Sequence, residues 1–483
     1  MNFRMIFKSL GMVLCIEAAC MLPSFIISAI SGEGDSPAFL FSMTALLAAG
    51  FLLSLIKPAK TSIYARDGFA IVALGWITVS LFGSLPFLFS GAIPSFWDAF
   101  FESVSGFSTT GATILKDIES LPKGILFWRS FTHWMGGMGV LVLTLAILPS
   151  VGANSFHIMK AESPGPTPGK LVPKIGQTAK ILYSIYIVLT LGEVLLLLAG
   201  GMSLYDALIH AFGTAGTGGF SNKNSSIGYY DSPYLEGVIT VFMLLFGINF
   251  ALYYYGMKGN LISVYKDEEL RFYLFVVGTS VLFIGTDLAS IGFYSPGTSF
   301  REAAFQVSSI ITTTGYATVD FNLWPVFSQG VLMVLMFIGG SAGSTGGGIK
   351  CIRILVLLKV MRREIARVIH PRSVYTVKIG GKVVEEETLS GIMTFFFVYL
   401  FLFVLATLAI SLNGEDLITT VTSVGATLNN VGPGLGLVGP MGNFSGFSDF
   451  SKAVLSACMI FGRLEIYPML ILFSLAFWKK VNI

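Results

Sequence analysis

The chain carries FWDAFFESVSGFSTTGAT at 96–113, LYDALIHAFGTAGTGGFS at 204–221 and FREAAFQVSSIITTTGYAT at 300–318. A fourth, more divergent copy, EDLITTVTSVGATLNNVGPG, occupies 415–434. Anchored on Gly111, Gly219, Gly315 and Gly432, the copies keep register. Thirteen residues upstream stand Asp98, Asp206, Glu302 and Thr419, followed by Ala99, Ala207, Ala303 and Thr420. Each copy lies between two long apolar segments. Four copies in register imply four equivalent elements about one axis, and a ring of four backbone loops is how a cation pore is built.

Composition sets the solvent. Of 483 residues, 54% are hydrophobic and 12% charged, with mean hydropathy +0.78. A soluble domain carries about twice that charged fraction. Apolar stretches of roughly 20 residues, the length that crosses a ~30 Å hydrocarbon core, recur throughout. The chain reads as a polytopic membrane protein with no room for a separate soluble domain. Residues 9–30 read as a retained first helix, since they are long for a signal core and no Ala-x-Ala site follows. The four cysteines, Cys15, Cys20, Cys351 and Cys458, have no metal-ligand spacing and read as packing residues.

Hydropathy gives ten spans: 5–30 and 38–56, then pairs flanking the four signatures at 68–90 and 126–149, 180–200 and 235–257, 272–292 and 327–359, and 389–411 and 450–477. The expected fold class is an all-α polytopic membrane protein. It has four pseudosymmetric helix–pore loop–helix repeats around a central pore plus two N-terminal helices. The expected division is 1–60 for the two leading helices, then 61–160, 161–260, 261–370 and 371–483 for pore repeats 1 to 4. Lysine and arginine crowd one side (Arg4, Lys8, Lys57, Lys258, Lys266, Arg362, Arg363, Arg367 and others). The signature side has Lys116, Lys123, Arg129, Lys223, Arg301 and Lys452. The rich side is cytoplasmic by the positive-inside rule, so both termini are inside. The Pro/Gly-rich stretch 161–174 reads as a turn-rich connector. The basic run KVMRREIARVIHPR reads as flanking charge or as a docking surface for a cytoplasmic partner.

Each signature reads as a helix of about ten residues, half a bilayer at 1.5 Å per residue, followed by an irregular Gly/Thr/Ser segment. Such backbone is tolerated at membrane depth only where it lines water. Asp98, Asp206 and Glu302 fall in the first turn, at the positive end of the helix dipole. Capping accounts for them, and no ion-binding role is assigned. The candidate ion ligands are the backbone around each central glycine: Thr110, Gly111 and Ala112; Gly218, Gly219 and Phe220; Thr314, Gly315 and Tyr316; and Val431, Gly432 and Pro433. Glycine permits the backbone angles that aim successive carbonyls inward, and four carbonyls per layer replace the water around a dehydrated cation.

These four signatures resemble the Trk/Ktr/HKT superfamily of potassium transporters. The two leading helices and the Lys/Arg pattern are similar to its bacterial TrkH branch. The resemblance implies a fourfold pseudosymmetric pore in each protomer, a homodimer, potassium as the transported ion, and a cytoplasmic nucleotide-binding regulatory ring of TrkA type. Only one glycine per repeat survives from the TVGYG pattern of potassium channels, which implies fewer ion sites and weaker discrimination against sodium. The setting is a bacterial inner membrane with its lipid; no nucleic-acid partner and no bound organic cofactor are expected.

Two features remain. The span 327–359 contains FIGGSAGSTGGGIK at 337–350. Each interior glycine costs a helix about 1 kcal/mol relative to alanine, so six of them make an unbroken helix untenable. A phosphate-cradling loop is excluded, because the Gly-Lys-Ser/Thr ending is missing. The resemblance makes this an intramembrane loop beneath the filter. Gly339, Gly340, Ser341, Ala342, Gly343, Ser344, Thr345, Gly346, Gly347 and Gly348 are therefore expected to form a gate. Arg463 lies midway along 450–477, where a charge costs at least ~2.5 kcal/mol unless it faces water or a partner. The resemblance places it at the pore, holding the gate through carbonyls and slowing conduction. Glu465, two residues on, points to another face.

The function expected is potassium uptake through a gated, cation-selective pore. A proton- or sodium-coupled symporter is the alternative, with Glu17 and Glu193 as its only evident intramembrane carboxylates. A membrane-embedded enzyme would require clustered acids, His or Cys near the interface, and the sequence has no such cluster.

Overall fold

A computed structural model describes residues 1–57, 64–139, 175–372 and 375–478. The connector expected at 161–174 lies outside them. The regular secondary structure of the described part is helical apart from a two-residue-per-strand hairpin, Lys378–Ile379 against Lys382–Val383, turned by Gly380 and Gly381 at positive φ. It is an all-α polytopic membrane protein built from four helix–pore loop–helix repeats and two N-terminal spans.

The first N-terminal span is two helices end to end, Phe3–Cys20 and Leu22–Ser31, and the second is Ser36–Ser54. They cross where Gly11 faces Gly50. A Cβ on Gly11 would sit 2.7 Å from the Gly50 carbonyl, and one on Gly50 would sit 2.8 Å from that of Gly11. In lipid, where apolar surface drives no association, such small-residue crossings supply the packing.

Each repeat has a leading helix, a half-helix, an irregular segment and a trailing helix. The leading helices are Ala65–Gly83, Ile175–Ala199, Glu268–Ser290 and Glu386–Ser411. The half-helices are Phe96–Phe107, Leu204–Gly216, Pro296–Ile311 and Leu417–Leu428. Because Ser295 caps the third, it starts a turn earlier than its signature suggests. Glu302 therefore stands in its second turn, not its first, and only Asp98 and Asp206 are first-turn acids.

The trailing helices depart from the expected continuous spans. Lys123–Gly137 ends at paired glycines, and residues 140–149 of the span expected there lie outside the described residues. Pro233–Phe246 gives way at Gly247, and Asn249 caps a second helix, Phe250–Met257, bent 91° from the first. Val326–Ile338 and Cys351–Ile369 are separated by the glycine-rich loop. Asp449–Arg463 ends where Glu465 and Ile466 take φ of 55° and 71°, before Tyr467–Leu472. Glycine, or a residue forced to positive φ, interrupts the hydrogen-bond ladder at each break. Among the described residues, six helices are therefore long and apolar enough to span a membrane, or seven if the bent pair is one span. Arg463, expected mid-span, is instead the last residue of its helix.

Gly11→Val should force the two N-terminal spans apart and destabilise the fold by ~1–3 kcal/mol, as overpacking does. Thermal unfolding in detergent should show a lower midpoint, while the ion selectivity of the surviving protein stays that of the native chain.

Candidate functional site: a ring of four backbone loops above an intramembrane loop

Every half-helix begins with an oxygen cap. Ser95, Ser203, Ser295 and Asp416 accept the backbone N–H of Asp98, Asp206, Thr298 and Thr419 at 3.5, 3.1, 3.4 and 3.1 Å. The exposed Asp416 carboxylate is held below its ordinary range chiefly by its hydrogen bonds to Thr419. With their N-termini capped, the half-helices turn their negative ends toward the irregular segments.

Those segments share one backbone course. Two residues before each central glycine, Thr109, Thr217, Thr313 and Asn430 have φ of 55°, 55°, 60° and 55°; the glycines have 80°, 76°, 83° and 96°. A threonine in the left-handed region is an outlier for a β-branched residue. The same closure holds all four. The N–H of the residue before the glycine returns to the half-helix: Thr110 to the Ser105 carbonyl, Gly218 to Gly213, Thr314 to Ser309 and Val431 to Ala426, at 2.8–2.9 Å. The divergent fourth copy obeys the geometry of the other three.

The segments meet in a closed cycle. A Cβ added to Gly111 would collide with the Gly218 carbonyl oxygen, one on Gly219 with that of Thr314, and one on Gly315 with that of Val431. One on Gly432 would come within 2.6 Å of the Thr110 oxygen, which returns to the first copy. Each glycine thus lies against the residue preceding the next glycine, and four steps close the ring. A cavity of about 150 Å³ reaches Gly111, Gly219, Gly315 and Gly432, with Ala112, Phe220 and Pro433 also in its wall. Two of the side chains after the glycines anchor the wall: the Tyr316 hydroxyl donates to the His210 carbonyl at 2.9 Å, and Phe220 stacks on His133.

A supporting cuff went unread in the sequence. Nine residues before the central glycines stand Glu102, His210 and Gln306, all fully buried. Glu102 accepts from the Thr113 hydroxyl at 2.9 Å, the Ile114 N–H at 3.0 Å and Arg129 Nε at 2.6 Å. His210 Nε2 pairs with the Ser221 hydroxyl at 2.9 Å, and Gln306 donates to the Thr318 hydroxyl at 3.2 Å. The signal was available, because the register that aligns the glycines also aligns these polar residues. Arg129, one of the signature-side charges, is 2% exposed. It donates to the Ser221 carbonyl at 3.1 Å and lies 3.4 Å over the Phe220 ring, fastening the second copy to the first.

Below the ring lies the glycine-rich loop. Its neck is closed by the Ile349 N–H to the Phe337 carbonyl (3.0 Å) and the Cys351 N–H to that of Gly340 (2.9 Å). Ser341 donates to the Gly247 carbonyl and Phe250 to that of Gly343, which docks the loop on the broken trailing helix of repeat 2. The Gly347 N–H donates to the Thr313 hydroxyl at 2.7 Å, and a Cβ on Gly347 would strike the Asn429 carbonyl, so the loop touches the third and fourth segments directly. Arg463 donates to the Thr345 carbonyl at 2.7 Å and to those of Gly136 and Gly137 at 2.5 and 2.6 Å. Glu465 pairs with Arg353. Among the described residues, no group of three His, Cys, Asp or Glu side chains is placed to hold a metal ion. The oxygens that converge here are main-chain ones.

Residues 36–480 match the family of TrkH cation transport proteins. The chain is 40% identical to the Trk system potassium uptake protein TrkH of Escherichia coli K12 over 485 residues, covering 99% of this chain and 100% of that protein. It is 34% identical to TrkG of the same organism over 485 residues, covering 99% of each. The crystal structure of the potassium transporter TrkH from Vibrio parahaemolyticus matches with a TM-score of 0.90 at 38% identity, over 99% of this chain and 100% of that one.

Arg129→Gln should leave the Glu102 charge buried without its partner, a change that costs about 3–5 kcal/mol. The variant should unfold at lower temperature and lose potassium-over-sodium discrimination in liposome flux. Adding Glu102→Gln should recover most of the stability.

Proposed function

This chain belongs to the TrkH family of cation transport proteins, and on that premise we propose that it takes up potassium through a gated, channel-like pore. The observation that carries the proposal is the closed cycle of glycine–carbonyl contacts. A ring of main-chain oxygens at the negative ends of four half-helices replaces the hydration shell of a large monovalent cation. Thr110–Ala112, Gly218–Phe220, Thr314–Tyr316 and Val431–Pro433 are its filter, and potassium is the transported substrate. The activity is transport, with no catalytic step.

Residues 339–348 are the gate in this reading. The loop fills the space beneath the third and fourth filter segments, held by a neutral hydroxyl, main-chain groups and Arg463. The guanidinium donates to the carbonyl oxygens of Thr345, Gly136 and Gly137 and brings positive charge to the floor of the filter. It therefore opposes a cation leaving the filter. The assembly is a homodimer of protomers, each divided into two N-terminal helices and four repeats. It spans a bacterial inner membrane among lipid, with both termini cytoplasmic and a TrkA-type nucleotide-binding ring on the basic face. The Trk-system relatives support that partner.

Coupled symport is the second reading. Glu17 and Glu193 are buried; among the described residues no hydrogen bond within 3.5 Å reaches the Glu17 carboxylate, and the Thr214 hydroxyl lies beside that of Glu193. Neither lines the filter cavity or touches the loop. A reversal potential that follows the potassium gradient alone excludes coupling through them.

Potassium, rubidium and sodium fluxes in liposomes test the main reading. The native protein should pass potassium and rubidium in preference to sodium. Gly315→Ala, whose methyl would strike the Val431 carbonyl, should abolish the preference or the flux. Arg463→Ala and a shortened 339–348 loop should each raise flux at equal protein density; unchanged flux in both would remove the gate from the account.

A further inference from the structure

The loop has a side-chain tie to the leading helix of repeat 3 that none of the roles above uses. Glu269 stands in the first turn of the leading helix Glu268–Ser290 of repeat 3, 7% exposed. A single carboxylate oxygen, Oε1, accepts the N–H of Ala342 at 2.6 Å and the N–H of Ile352 at 3.1 Å. These donors lie on the two sides of the loop neck. The helix Cys351–Ile369 has no side-chain cap of its own, since Lys350 at its N-cap position makes no capping bond. The first N–H groups of a helix lack intrahelical partners. Glu269 therefore caps that helix from outside and holds the entering limb of the loop with the same oxygen.

We propose that Glu269 is the latch that keeps the intramembrane loop folded beneath the filter, a positioning role that rests on the gate reading above. The neck bonds between Ile349 and Phe337 and between Cys351 and Gly340 join the loop only to its own flanks. The Glu269 bonds fix both flanks to a different, long helix. Loss of the Glu269 bonds removes the hold on both flanks and leaves the bonds to Gly247, Phe250, Thr313 and Arg463 among the remaining anchors of the loop. The nearby charges have other partners: Lys350 donates to the Gly346 carbonyl, Arg353 pairs with Glu465, and Lys359 pairs with Glu268. Glu269 forms no ion pair among the described residues, so it works as a hydrogen-bond acceptor rather than as a counter-ion.

That distinction separates the variants. Glu269→Gln keeps a side-chain carbonyl able to accept both N–H groups. Glu269→Ala removes the acceptor. Ala342→Pro removes one donor and leaves Glu269 intact. Ala342 is the second residue of the turn Ser341–Ser344, closed by the Ser344 N–H to the Ser341 carbonyl (3.2 Å), with Gly343 at φ 71°. Proline is favoured at that place in a turn with positive φ at the third residue, so the variant keeps the turn.

The experiment is rubidium tracer flux through the full-length protein in liposomes, at matched density, for wild type, the three variants and a loop-shortened control. Glu269→Ala and Ala342→Pro should raise flux toward the control, on the order of tenfold for the loss of a charge-assisted hydrogen bond. Glu269→Gln should stay near wild type. Buried Cys351, beside the neck, supplies a second readout with the other cysteines replaced. It should react with small thiol reagents in the alanine and proline variants and stay protected in the glutamine variant. If the control conducts more while Ala342→Pro and any folded Glu269→Ala stay at wild-type flux with Cys351 protected, the latch is overturned and the gate stands. Glutamine behaving like alanine overturns the acceptor role. An inert control overturns the gate itself, and the latch with it.

Discussion

The architecture depends on one steric constraint: a carbonyl oxygen occupies the place where each central glycine would carry a side chain. Gly111 faces the Gly218 oxygen, and the relation passes around the ring until Gly432 faces that of Thr110. Four separate segments are thereby locked at a spacing no other residue allows. The threonines and the asparagine at positive φ follow from the same demand, since the chain must turn sharply off each half-helix to bring its carbonyl into the ring. The closing N–H bond to the half-helix holds that course. Around it, Glu102, His210 and Gln306 pin the far side of the segments, so the ring is fixed from behind as well as from within.

The floor beneath the ring is a consequence of broken helices. Where the trailing helix of repeat 1 ends, Arg463 donates to the Gly136 and Gly137 carbonyls, and it adds the Thr345 carbonyl of the loop. These carbonyls hydrate the guanidinium in place of water. The acid closest to it in sequence, Glu465, is drawn off by Arg353. One arrangement thus seats the loop and brings a guanidinium beneath the ring.

Much of this was legible in the sequence because it depends on register. The glycines, their flanking residues and the half-helices repeat at fixed offsets, and a repeated offset survives divergence, as the fourth copy shows. The helix break at 339–350 was legible from glycine density alone. What escaped depends on contacts between distant residues. Hydropathy reads 235–257 and 450–477 as continuous, since one Gly247 or a Gly462–Arg463 pair barely changes a window average. The breaks form because the loop and the half-helix ends claim those backbone groups. The burial of Arg129 gave no sign, because its partner, Glu102, lies 27 residues earlier on another helix. Glu302 was placed a turn early because the cap that sets the third half-helix, Ser295, precedes the repeated stretch. Glu269 gave no sign at all: its two partners are main-chain groups more than seventy residues away.

The central claim concerns where a dehydrated cation rests. Crystals grown in rubidium, with anomalous scattering collected at the rubidium edge, locate it directly. The account predicts a peak on the ring axis, within coordination distance of the Thr110, Gly218, Thr314 and Val431 carbonyl oxygens. A ring empty of rubidium, with the ion instead beside Glu17 or Glu193, would contradict it.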